Sequence, residues 1–172
     1  VYPAIWTFWG IAKFGWSEAM VGGTLAIFGL IAGAFQGFLT GPATARFGEW
    51  RVALFGLVCA TLVVLGYGFV GSLGAVIALM ILHGPEGFVH PLLTSLLTRR
   101  VPEDAQGELQ GGISAVTNLA MLFGTVFFAW IFGHFWAEAR VWRSTDVAYW
   151  VAAGFLALTT LLFLMLKRSE KA

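Results

Sequence analysis

Five long apolar runs, at 18–39, 52–70, 73–97, 113–135 and 147–166, alternate with short segments that collect the polar and charged residues. Each run is near the ~20 residues a helix needs to cross a bilayer. None shows the ten-residue alternation of barrel strands, and an open sheet edge cannot sit in lipid, so helices are predicted. A sixth run, at 1–12, is about 18 Å long at helical rise, half a crossing. No basic stretch of a signal peptide precedes it. It is expected to be the outer half of a helix whose beginning is missing.

Composition turns this pattern into a class. Hydrophobic residues make up 59% of the 172 and charged residues only 11%, against about a quarter charged in soluble domains. Too few charges exist to coat a water-facing surface, which excludes a soluble enzyme and a disordered linker. A net charge of +1 gives no electrostatic case for nucleic acid. The single cysteine, Cys59, lies inside an apolar run and offers neither a disulfide nor a thiolate metal site. The fold class read from these features is an all-α integral membrane protein, a single helical domain over 1–172.

The basic residues alternate by side. Arg46, Arg51, Arg99, Arg100, Lys167, Arg168 and Lys171 follow the first, third and fifth full runs; Lys13, Arg140 and Arg143 fall on the opposite side, the last two diluted by Glu138 and Asp146. Seven against three places the first set, and the C-terminus, in the cytoplasm by the positive-inside rule. Trp6, Trp9, Trp16, Trp136, Trp142 and Trp150 gather toward the outer ends, where interfacial aromatics are expected.

Polar residues inside the runs are the candidates for chemistry. The third full run contains Leu82-His83-Gly84-Pro85-Glu86-Gly87-Phe88-Val89-His90-Pro91. An ionised carboxylate at the depth of Glu86 costs a few kcal/mol, and His83, Glu86 and His90 recur at i, i+3 and i+7, one face of a helix. Pro85 and Pro91 each remove a backbone donor, which predicts a kink. The face suits a group that binds and releases a proton or touches a polar substrate. The plainer alternative is a neutral Glu86 joining two helices by a hydrogen bond. A metal site is disfavoured by the prolines and by the lack of another carboxylate or thiolate nearby.

In the fourth full run, Gln110, Ser114, Thr117, Asn118 and Thr125, with Met121 among them, form a polar stripe at helical spacing. Such a stripe suits a cavity wall, or hydrogen bonding between helices at about 0.6 kcal/mol each. Gly29, Gly33, Gly37 and Gly41 fall every fourth residue of the first full run and predict a close helix contact. Gln36 and Thr40 lie beside that seam. The segment from Gly41 to Arg51 reads as a tight turn between spans, in which Arg46 and Glu49 pair with each other or reach neighbouring helix ends. Pro102 followed by Glu103 and Asp104 marks a helix start.

Two sequence patterns carry a resemblance. One is Phe35-Gln36-Gly37-Phe38 with Gly41, Arg46, Phe47, Gly48 and Glu49. The other is Thr98-Arg99-Arg100-Val101-Pro102-Glu103-Asp104-Ala105-Gln106-Gly107-Glu108-Leu109-Gln110-Gly111. Together they resemble the C-terminal half of tetracycline-resistance-type efflux pumps of the major facilitator superfamily, from the end of the seventh helix through the twelfth. The resemblance implies a six-helix bundle with a truncated first helix, and a partner in a missing N-terminal six-helix half. It implies proton-coupled export of a drug-like amphipathic compound by alternating access, with the ligand between the halves. Gln36 matches a glutamine near the drug pathway, while Ala32, Ala45 and Ala60 replace a histidine and two acids of the family pattern.

The function expected is therefore an antiporter of the bacterial inner membrane and not an enzyme. Protons are the coupling ion, no resident cofactor is needed, and the substrate is tetracycline-like, including its magnesium chelate, or another amphipathic drug. Glu86, His83 and His90 are the coupling candidates; Gln36, Ser114, Thr117, Asn118 and Met121 are the pathway candidates. A channel lined by the polar stripe, a symporter, and a non-transporting scaffold that docks through the glycine seam are the alternatives.

Overall fold

The computed structural model describes residues 2–136 and 143–169. Arg140, Trp142, Glu138 and Lys171, and the side chain of Arg168, lie outside the described residues. The described chain runs α1 (Tyr2–Phe14), α2 (Glu18–Ala34), a π-helical turn (Phe35–Leu39), α3 (Thr40–Phe47), α4 (Glu49–Tyr67) and α5 (Leu73–His83). A 3-10 segment (Gly84–Phe88), α6 (Val89–Thr98), a 3-10 turn (Glu103–Ala105), α7 (Gln106–Trp136) and α8 (Val147–Ser169) follow. Joined end to end, these give five stretches long and apolar enough to cross a membrane: Glu18–Phe47, Glu49–Tyr67, Leu73–Thr98, Glu103–Trp136 and Val147–Lys167.

Helix starts are set by short polar caps. Ser17 accepts from the Met20 N–H and Ser72 from the Ala75 N–H, both at 3.3 Å, each satisfying a donor the first helical turn leaves free. The expected turn from Gly41 to Arg51 is instead helical as far as Phe47, and the chain reverses at Gly48 alone, with φ 81°. In a regular helix Pro42 collides with the carbonyl four residues back, that of Phe38. The widened turn around Phe38 relieves that collision, with the Thr40 N–H bonding back to the Phe35 carbonyl. α7 likewise begins well before residue 113, directly after the Glu103–Ala105 turn.

α4 is the centre of the bundle. It packs against α8, α5, α6 and the 3-10 segment, burying Val52, Ala53, Gly56, Leu57, Ala60, Val63, Val64 and Tyr67 along one stripe. The small members of that stripe allow close approach: a Cβ on Gly56 would lie 2.6 Å from the Pro85 carbonyl oxygen. α2 buries only Val21 and Thr24, and α7 only Phe128, Ile131 and Phe132. A Cβ built on Gly29, Gly33, Gly37 or Gly41 would meet nothing within 4 Å, so among the described residues no helix packs closely on the seam.

The end of the bundle holding Tyr67 and the start of α8 is aromatic. Trp6, Trp9 and Trp16 are buried there, and Trp136 and Trp150 half-buried, so these five gather at one end of the bundle but pack inward on other helices. The rings of Trp6, Trp9 and Trp16 pack on one another, and those of Trp6 and Trp9 on Tyr67, with Trp9 also on Tyr149. The indole N–H groups of Trp6 and Trp9 find internal acceptors, Thr24 Oγ1 and Asp146 Oδ1, each at 2.9 Å. A tryptophan satisfied inside has no need of the headgroup layer.

Candidate functional site

The membrane helix formed by α5, the 3-10 segment and α6 is broken at its middle, where Gly84 and Pro85 follow His83. Phe35 of the π-helical turn packs against the missing Cβ of Gly84, and the Phe35 and Phe88 rings lie 5.8 Å apart. Two irregular turns on neighbouring helices therefore meet at one level, fixed by ring against glycine. Irregular backbone at membrane depth is tolerated where protein buries it or where it lines a cavity; here it does both.

The break places Glu86 and His83 on a cavity of about 280 Å³. Ala60 and Val64 of α4, Phe128 of α7, and Phe155 and Thr159 of α8 contribute to its walls. His83 is 3% exposed, its ring 5.6 Å from that of Phe28 and 6.2 Å from that of Tyr67. Glu86 is exposed. Thr159 Oγ1 donates to the Phe155 carbonyl at 2.9 Å, which leaves its lone pairs free to accept. Carboxyl, imidazole and hydroxyl thus share a pocket whose remaining surface is apolar, a combination able to hold a proton, a water or a small cationic group.

His90 is exposed and outside this cavity. The three-residue spacing assumed a continuous α-helix, whereas the 3-10 segment advances about 120° per residue and changes the phase between Glu86 and His90. Spacing missed Thr159 and Phe128; Thr159-Thr160 interrupting an apolar run was the available signal for the first. Among the described residues no cluster of three metal-binding side chains occurs.

The other candidates lie elsewhere. Gln36 is exposed within the π-helical turn, and Ser114, Thr117, Asn118 and Met121 are exposed along α7. Thr117 borders a groove of about 700 Å³ near the start of α7 with Val101 and Glu108. Gln106 is half-buried, and Gly107, Gln110 and Gly111 are exposed. Gly41, Gly48, Glu49 and Arg99 meet at the basic end around a cleft of about 600 Å³. There Glu49 Oε1 accepts from Arg99 at 2.6 Å and from Ser95 Oγ at 3.2 Å. Of the two loop arrangements, Glu49 therefore reaches a neighbouring helix end, while the Arg46 guanidinium lies 5.4 Å from the Phe47 ring. Arg100 is exposed beside Arg99.

Comparison with known proteins agrees with the resemblance. The family model of the Major Facilitator Superfamily matches residues 1–172. The class C tetracycline resistance protein of Escherichia coli is 34% identical over 161 residues, covering 94% of this chain and 39% of the relative. The class G protein of Vibrio anguillarum is 33% identical, with the same coverage of 94% and 39%. The class B protein of Escherichia coli is 29% identical over 76% of this chain and 32% of its own length. The chain thus spans about two fifths of the length of the first two of these curated relatives, 39%. No solved structure matches it significantly. With its full-length family match and its five apolar helices, this chain belongs to the Major Facilitator Superfamily, a family of membrane transporters and not of enzymes.

Proposed function

We propose that this chain is the second half of a proton-coupled antiporter that exports a tetracycline-like or other amphipathic drug across the bacterial inner membrane by alternating access. The observation that carries the reading is the placement of Glu86 on a cavity at the break in a membrane helix, beside His83 and Thr159. The relatives' names supply the substrate class. Protons are the coupling ion, and a tetracycline substrate travels as its magnesium chelate. His90, on the same broken helix, serves as a relay toward the basic end.

The unpartnered faces of α2 and α7 support a six-helix partner half against which they pack. Their exposed Gln36, Ser114, Thr117, Asn118 and Met121 would then border the substrate path between halves. The basic end and the C-terminus face the cytoplasm, from the excess of Arg and Lys there. Binding a proton at Glu86 neutralises its charge and favours the conformation in which the cavity closes; release favours the other.

The test is transport by the full-length protein in proteoliposomes. Glu86→Gln should abolish uphill accumulation driven by a pH gradient while leaving substrate exchange at equal concentration intact. Uphill transport that survives the substitution would overturn the assignment of Glu86.

A further inference from the structure

The cleft at the basic end is cationic. Arg51, Arg99 and Lys167 line it against the single carboxylate of Glu49. Glu49 is already engaged by Arg99 at 2.6 Å, and among the described residues Arg51 and Lys167 have no carboxylate within ion-pair distance. Lys167 is held in place from behind: its Nζ lies 5.5 Å from the Trp50 ring, and Trp50 stacks on Phe163 at 3.8 Å and 5°. The result is an uncompensated positive cleft of about 600 Å³ at the level where membrane helices end.

A second depression of about 390 Å³ adjoins it and shares two of its walls, Phe47 and Arg51. Its other lining residues are Ala43 of α3, Val52 and Phe55 of α4, and Phe88 of the 3-10 segment. Apart from Arg51, every lining side chain is apolar. Phe47 and Phe55 are 53% and 56% exposed. Phe55 lies one helical turn below Arg51, about 6 Å deeper along α4. A positive cleft at the interface thus opens into an apolar groove that runs toward the membrane interior between α3 and α4.

We propose that this pair of depressions is a binding site for an anionic phospholipid, with the phosphate accepting from Arg51 and Lys167 and one acyl chain lying in the groove over Phe55 and Phe88. Free phosphate satisfies the cleft but leaves the groove empty, and a zwitterionic lipid fills the groove but brings its own cation to the cleft. Basic pockets between membrane helices recognise anionic headgroups on this principle, with roughly a fivefold gain per well-placed cation. Arg99 is shared with Glu49 and contributes less. The proposal requires only that the helices span a bilayer, and it stands apart from proton coupling at Glu86.

The experiment uses the full-length protein, free of other cysteines (Cys59→Ala included), with Phe55→Cys carrying a bimane label, in phosphatidylcholine nanodiscs. Brominated phosphatidylglycerol should quench the label at least fivefold more effectively than brominated phosphatidylcholine at the same mole fraction. Millimolar inorganic phosphate should leave the quenching unchanged. Arg51→Gln with Lys167→Gln should erase the preference, and Arg51→Lys with Lys167→Arg should keep it; size-exclusion profiles check the fold of each. Equal quenching by both lipids would reduce the site to ordinary annular contact and overturn the proposal. So would displacement by inorganic phosphate, or no quenching by either lipid, which would mean that another part of the protein covers the groove.

Discussion

The two ends of the bundle each hold an ion pair of nearly the same length, and little else about them is alike. Lys13 and Asp146 meet at 2.7 Å with side chains 17% and 18% exposed; Arg99 and Glu49 meet at 2.6 Å with side chains 69% and 20% exposed. Asp146 Oδ1 also accepts from Trp9 Nε1 at 2.9 Å and Thr145 Oγ1 at 3.1 Å, so one carboxylate ties α1 to the start of α8. At the basic end the arginine stays in water and the neighbouring cleft is open. Distance alone does not rank these pairs; withdrawal from water and the number of groups left stranded do.

The comparison breaks most readily at Trp9. Its ring is 0% exposed and packs on Trp6, Trp16, Tyr67 and Tyr149. Trp9→Ala is expected to cost about 3–5 kcal/mol, read as lost thermal stability of the full-length protein in detergent. A loss no larger than that of a basic-end variant would mean that the aromatic end is not the fixed one. Next comes Asp146→Asn, expected to cost about 3 kcal/mol because it strands Lys13 in a largely buried position. A double-mutant cycle with Lys13→Met sharpens the point: removing both charges should cost less than removing Asp146 alone.

How these ends would differ was only partly legible in the chain. The five spans and their helical class follow from continuous apolar runs, because in lipid a helix satisfies its own backbone whatever surrounds it. The break at Gly84-Pro85 was visible for the same local reason. Burial was not. α4 and α7 are both strongly apolar, yet one is the hub and the other is largely bare, since lipid supplies no hydrophobic drive to sort them. Trp9 and Asp146 stand 137 positions apart, and no local pattern links an indole to so distant a carboxylate. Glu86 and His83, singled out by depth and polarity, line one cavity, whereas the spacing that joined His90 to them is interrupted by the 3-10 segment.

Midway along the bundle, Gly56 tests whether close packing extends beyond the aromatic end. A Cβ there would sit 2.6 Å from the Pro85 carbonyl oxygen and 2.8 Å from Val89 Cγ2, and the carbonyl belongs to backbone that cannot swing aside. Gly56→Ala is expected to cost about 1–3 kcal/mol and, by shifting the 3-10 segment, to alter the cavity at Glu86. Gly154→Ala on α8, where a Cβ would meet nothing within 4 Å, is the control and should leave thermal stability unchanged or raise it by up to about 1 kcal/mol. Equal losses from the two would place the tight contact elsewhere.

The smallest effect is expected from the pair with the shorter distance. Glu49→Gln removes the partner of an arginine that water already solvates, and the amide can still accept from Ser95 Oγ, now 3.2 Å from Glu49 Oε1. The cost should be about 0–1 kcal/mol and should shrink as salt is raised, because exposed charges are screened within about 10 Å at 0.1 M. Asp146→Asn should keep most of its cost in the same salt series, its ion pair being largely out of reach of mobile ions. If both losses fell in parallel with salt, Lys13 and Asp146 would be as wet as the basic end. The two ends would then differ in aromatic packing alone, not in electrostatics.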